Sequence, residues 1–254
     1  MNSNSNSNSN APRPSLGVLH LQEGEKKFQL TRHVPSEDIG FFVKHFWIVS
    51  WDLIGQLSYS QEVVPNPCVN MVFERNHSSI YGASRQKFSR LLQGMDQVFG
   101  VKFKPGGFYP FVKWPISRLT AGSIPVENVF NAESDQIGSS ILSQDDPHKM
   151  VKLAESLIRQ QLPDQDERIV LINEIIDRVQ ADRSITKVDQ ICETFQLNIR
   201  KLQRIFSQYV GVSPKWVIKL YRLQNAAEAM DQGQCINWLD LSIELGYYDQ
   251  SHFI

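Results

Sequence analysis

The apolar positions of this chain change their period partway along it. From about residue 25 to residue 111 they come in short, dense runs. Residues 41–51 (FFVKHFWIVSW) are aromatic and β-branched, residues 61–64 run into a proline turn at Pro65 and Pro67, and residues 70–73 and 98–103 are two more short apolar runs between turn residues. Pro105, Gly106 and Gly107 then form a strong turn signal. Many short strands with regular turns predict a barrel or sandwich. Beyond Phe111 the spacing becomes helical. Met150, Leu153, Ala154, Leu157 and Ile158 fall on one face, and after a polar break at residues 163–166 so do Ile169, Ile172, Ile175, Ile176 and Val179.

The helix punctuation past that break is dense. Thr186 and Asp189 match the S/T-x-x-D capping pattern and predict a short helix to Phe195. Asn198 is an N-cap for a helix that runs to about Tyr209 and stops at Gly211. Ser213 followed by Pro214 starts a long helix that Gly233 ends. Residues 238–245 predict one more short helix, broken by Gly246, with Asp249 as the N-cap of another. The expected fold class is α+β: a strand-rich, barrel-like regulatory or sensor-like domain over residues 15–162, then an all-helical domain over residues 163–254. The Asn-Ser alternation within residues 1–14 reads as a disordered polar tail.

Two segments of the helical half repeat one arrangement about fifty residues apart. Each has a short helix with a small residue (Cys192, Ser242) one turn before a break (Gln196, Gly246). Each then has a capping residue (Asn198, Asp249) and, four positions on, a large apolar anchor (Leu202, Phe253). A helix-turn-helix needs these parts. The small residue lets the second helix cross closely, the turn residue takes φ > 0, and the anchor fixes the angle of the recognition helix. Gln196 therefore puts a side chain at a left-handed position, at a cost of ~1 kcal/mol.

On these residues the chain resembles the AraC/XylS family of transcription regulators. Residues 245–253 (LGYYDQSHF) look like the family signature, and residues 211–214 (GVSP) occupy its Gly-x-Ser-Pro position. Residues 64–73 and 100–108 resemble, less specifically, the sensor-like domains upstream in such regulators. The family's second recognition helix continues past the position at which this chain ends, Ile254, so the resemblance implies an incomplete second unit here. It also implies a cytoplasmic, sequence-specific DNA-binding protein with no catalytic role and no cofactor. Its partner is double-stranded DNA, with room for a small-molecule effector in the N-terminal domain, a homodimer and a contact with RNA polymerase. The rival reading is an interaction partner that does not bind DNA and acts through its N-terminal domain.

Charge points the same way. The whole chain, 254 residues, carries a formal net charge of −1, which says nothing about nucleic acid. Between Glu193 and Glu228, however, lie six basic residues and no acidic one: Arg200, Lys201, Arg204, Lys215, Lys219 and Arg222. Contacts of such residues with phosphates supply much of the affinity for DNA, and Arg200 and Gln203 are placed to reach base edges. The candidate DNA-binding residues are Asn198, Arg200, Lys201, Gln203, Arg204 and Lys215 in the first unit and Gln250, Ser251 and His252 in the second.

Other chemistry finds less support. No apolar run approaches the ~18 residues of a membrane span. Three cysteines, Cys68, Cys192 and Cys235, are too few and too scattered for a disulfide framework, which fits a reducing compartment. The six histidines (His20, His33, His45, His77, His148, His252) lack metal-ligand spacing. Cys68 follows Pro67, as in the Pro-Cys-His-Arg centre of DNA alkyltransferases, but Val69 and Asn70 stand where the His and Arg would be, so a structural or pocket-lining thiol is expected. Phe42, Phe46, Trp47, Trp51, Phe103 and Phe108 are expected in a core, with an effector pocket as the alternative.

Overall fold

The structure, a computed structural model, describes residues 24–231. The tail, the expected helix at 238–245, Cys235, the cap Asp249 and the site residues Gln250, Ser251 and His252 lie outside the described residues.

The N-terminal half is built on one long strand. β2 (Val43–Leu53) pairs antiparallel with β1 (Gln29–His33) on one side and with β7 (Gly94–Phe103) on the other. With β4 (Asn70–Glu74), β5 (His77–Tyr81) and β8 (Ser123–Pro125) they form a six-stranded sheet in the order β1-β2-β7-β4-β5-β8. A second, two-stranded sheet pairs β3 (Tyr59–Val63) with β6 (Phe88–Leu92).

Alternation along β2 assigns the faces, since successive side chains point to opposite sides. Phe46 and Ile48, opposite Val101 and Phe99, enter a core with Met71, Phe73 and Phe103. That core is covered by α1 (Glu37–Gly40), α3 (Ser134–Leu142) and α4 (Pro147–Arg159), the last contributing Met150, Ala154, Leu157 and Ile158. A four-residue helix, α2 (Tyr109–Val112), sits at its edge. On the other face Trp51, Leu53, Val72 and Val98 pack with Phe28 and with Leu92 and Tyr59 of the ribbon. Five of the six candidate aromatics, Phe42, Phe46, Trp51, Phe103 and Phe108, are buried in cores. Trp47 is only half-buried.

The helical half closes a core of its own. α5 (Glu167–Ala181) is N-capped by Asp166, whose carboxylate accepts from the Arg168 amide at 3.0 Å. Its five stripe residues are all buried, worth ~1.5–3 kcal/mol each. They meet Ile191 of α6 (Val188–Thr194), Leu202 and Ile205 of α7 (Ile199–Ile205), and Val217, Ile218 and Tyr221 of α8 (Pro214–Asp231). Phe42 and Ala83 of the N-terminal half belong to this same cluster, so the two halves share packed surface.

Two expectations on helix ends are corrected. The cap of α6 is closed by Gln190, whose Oε1 accepts from the amides of Thr186 and Lys187, both at 2.9 Å. The longer Gln side chain reaches back over the first turn, and the helix therefore starts at Val188 instead of being capped through Asp189. The recognition helix does not run as one α-helix to Tyr209. α7 ends at Ile205, and residues Phe206–Val210 form a π-turn closed by the Gly211 amide donating to the Phe206 carbonyl at 2.8 Å.

Candidate nucleic-acid interface

The turn between α6 and α7 has the geometry its residues call for. Leu197 donates its amide to the Cys192 carbonyl at 2.9 Å and Gln196 donates to Glu193 at 3.4 Å, the paired bonds of a Schellman turn. The residue that must be left-handed there is Gln196, with φ 51°. Asn198 then caps α7, its Oδ1 accepting from the Lys201 amide at 2.7 Å. These bonds set the angle at which α7 leaves α6.

Burial divides α7 sharply. Leu202 and Ile205 point into the core, while Asn198, Arg200, Lys201, Gln203 and Arg204 are all exposed. Asn198, Ile199, Arg200, Lys201 and Arg204 line a shallow concavity of about 540 Å³. Among the described residues no carboxylate comes within ion-pair distance of Arg200, Lys201, Arg204 or Lys215. Lys215 is exposed in the first turn of α8, whose N-terminus is capped by Ser213 Oγ accepting from the Trp216 amide at 3.2 Å. Lys219 and Arg222, further along α8, are half-buried, and burial lowers both pKa values. The basic run thus splits into an outward group and an inward pair.

Sequence reasoning missed two features here. Ile199, absent from the candidate residues, stands 42% exposed beside the cations. The π-turn was also hidden, and it positions the whole unit. It turns Phe206, Tyr209 and Val210 into the core and against the N-terminal half. Tyr209 packs on Tyr109 with ring centroids 4.1 Å apart, its hydroxyl donates to Asp166 Oδ2 at 2.5 Å, and it accepts from Arg168 at 2.8 Å. Burial, reinforced by the Asp166 carboxylate, pushes the Tyr209 phenol up to about 12. Gly211, at φ 89°, packs so close that a Cβ would meet Thr120 Oγ1 at 2.9 Å and the Ile116 carbonyl at 3.0 Å. Thr120 Oγ1 donates to the Gly211 carbonyl at 2.6 Å. The only signal in the sequence was Gly211 itself.

An exposed cationic helix held by a capped, left-handed turn on a partner helix anchored through Ile191 is the geometry of a helix-turn-helix. Residues 191–254 match a family described as a helix-turn-helix domain, and residues 31–125 match one described as a domain of unknown function. The C-terminal part of this chain is therefore similar to a helix-turn-helix domain. An uncharacterized HTH-type transcriptional regulator from Haemophilus influenzae is 32% identical over 89 residues, covering 35% of this chain and 29% of the relative. Two crystal structures of ToxT from Vibrio cholerae align over 89% of the chain and over 91% and 89% of their own, at 12% and 13% identity and a TM-score of 0.32.

Proposed function

We propose that the chain is a sequence-specific DNA-binding transcription regulator, with a regulatory domain over residues 15–162 and a DNA-binding domain over residues 163–254. The observation that carries this reading is the outward face of α7, where Arg200, Lys201, Gln203 and Arg204 stand exposed on an anchored helix. Arg200, Gln203 and Arg204 take the base edges, the Ile199 side chain a thymine methyl, and Lys201, Lys215 and the capped Asn198 turn the phosphates. Gln250, Ser251 and His252 take the corresponding place in the second unit. With α8 as the connector, the two units enter major-groove segments about 34 Å apart. The N-terminal domain takes a small-molecule effector, and the chain works in the cytoplasm, as a homodimer in contact with RNA polymerase. No catalysis is required. Cys68 is buried and burial raises its thiol pKa, which does not suit a nucleophile.

The test is DNA binding by Arg200→Ala and Arg204→Ala across a salt titration, on sequences selected from a random pool. A base-reading side chain loses ~1–3 kcal/mol and relaxes one position, whereas a phosphate contact lowers the salt slope by about one. Unchanged isotherms for both variants would remove α7 from the interface.

A further inference from the structure

The second cluster of cations lies on the ribbon-side face of the large sheet. Residues opposite one another in antiparallel strands share a face. Arg32 is opposite Trp47, which is opposite Gly100, and in the next row His45 is opposite Lys102, which is opposite Asn70. Between Val43 and His45 the register slips, so that Lys44 and His45 together oppose Lys102. Such a bulge re-aims side chains, and here it crowds Lys44 and His45 toward Lys102. Four basic side chains and one indole thus meet at a single corner of the sheet.

His45 and Lys102 are half-buried between the exposed Arg32 and Lys44, and the cluster carries no counter-charge. Among the described residues no carboxylate lies within ion-pair distance of Arg32, Lys44, His45 or Lys102. Burial lowers the pKa values of Arg32 and Lys102, and burial together with Lys102, Arg32 and Lys44 holds His45 down at about 3. Cys68, which neighbours the cluster, is kept a neutral thiol by burial. Desolvating like charges without a partner is unfavourable, and an incoming anion would reverse the penalty.

The indole supplies an apolar floor. A Cβ on Gly100 would lie 2.0 Å from the Trp47 ring, so the ring rests flat in the space that only glycine leaves. Trp47 keeps part of its surface open, unlike the other candidate aromatics. The helical half reaches the loop that leads into β4, where Gln224 of α8 donates to the Pro65 carbonyl at 3.4 Å.

We propose that this corner is a binding site for a small organic anion, with a carboxylate or phosphate head on Lys102, Arg32 and Lys44 and a flat apolar body on Trp47, and that α8 reads its occupancy. The site deepens the regulatory role proposed above, since α8 is also the connector between the two helix-turn-helix units.

The test is calorimetric titration of the full chain, without DNA, using phenylacetate and phenyl phosphate. Phenylacetamide and inorganic phosphate carry the body and the charge separately. Saturable binding of one or both organic anions is expected, and which one binds identifies the head group. Lys102→Met and Trp47→Ala should each weaken it about tenfold or more, while Lys152→Met, on the exposed surface of α4, should leave it unchanged. Removing a desolvated charge does not threaten the fold, so Lys102→Met should melt no lower than the parent. The proposal is overturned if neither organic anion saturates, if binding survives Lys102→Met, or if phenylacetamide binds equally well. Inorganic phosphate binding as tightly as phenyl phosphate would overturn the role of Trp47. Arg200→Ala should not change this titration, so the DNA reading and the anion site fail separately.

Discussion

Two groups of basic residues, one on α7 and one at a corner of the large sheet, have surroundings that differ in kind. On α7, Arg200, Lys201 and Arg204 are exposed. Such charges cost nothing to hold, are screened by salt, and gain by displacing counterions from a long polyanion. At the sheet corner, His45 and Lys102 are half-buried and crowded by the exposed Arg32 and Lys44. Charges of that kind weaken the unliganded fold and act strongly on one small anion at short range. Crowding and partial burial, more than the number of cations, separate a surface suited to DNA from a corner suited to a small anion.

The comparison breaks most severely if the scaffold under α7 is removed. Phe206→Ala opens a cavity beneath the π-turn, where the ring is fully buried. A loss of ~3–5 kcal/mol of stability is expected in urea unfolding, with DNA binding lost as well. The anion titration at the sheet corner should survive wherever the chain remains folded, because Trp47 packs in a different cluster and only α8 touches both. Equal loss of both functions in folded protein would show that the two regions are not separable.

Smaller changes sharpen the same contrast at the turn. Asn198→Ala removes the cap of α7 and should cost about 1 kcal/mol, measured by thermal unfolding. Gln196→Gly relieves the left-handed residue at φ 51° and should stabilise by up to ~1 kcal/mol. Opposite signs at two positions in one turn are the expected outcome. A destabilised Gln196→Gly would mean that the side chain makes a compensating contact.

The smallest effect is confined to alkaline pH. The folded chain holds Tyr209 protonated up to about 12, above the ordinary value of 10.0. A raised pKa in the folded state contributes stability that is fully present below pH 10 and is lost as pH rises through about 12. Tyr221 and Tyr81 are shifted in the same direction by burial, so the informative quantity is the difference between the parent and Tyr209→Phe. Their unfolding curves should converge over that window. Parallel curves would remove Tyr209 as the titrating link between the two halves.

Much of this was legible in the residues because it is governed by short-range rules. The stripe Ile169–Ile172–Ile175–Ile176–Val179, the cap at Asn198, the left-handed Gln196 and the stop at Gly211 each depend on neighbours within a turn or two of helix, and each is found as expected. The strand-rich character of residues 25–111 was equally plain. Strands without apolar alternation were not: β5 (HSSIY) is polar for most of its length, and β1, β6 and β8 went unseen for related reasons. α3 was hidden by its serines and by Gly138, which packs where a Cβ would meet Ser78 Oγ.

By itself the sequence determined the change from strand to helix, the helix-turn-helix and the exposed cations that point to DNA, since period, capping and turn chemistry act locally. Only the tertiary structure decided that Lys219 and Arg222 turn inward on α8 while Lys215 stays in water, and that the recognition helix ends in a π-turn seated on Tyr109 and Thr120. It also decided that Arg32, Lys44, His45 and Lys102 share one corner. Residues on three strands meet there only through antiparallel register and a one-residue bulge, and register is set by long-range pairing that no local pattern records.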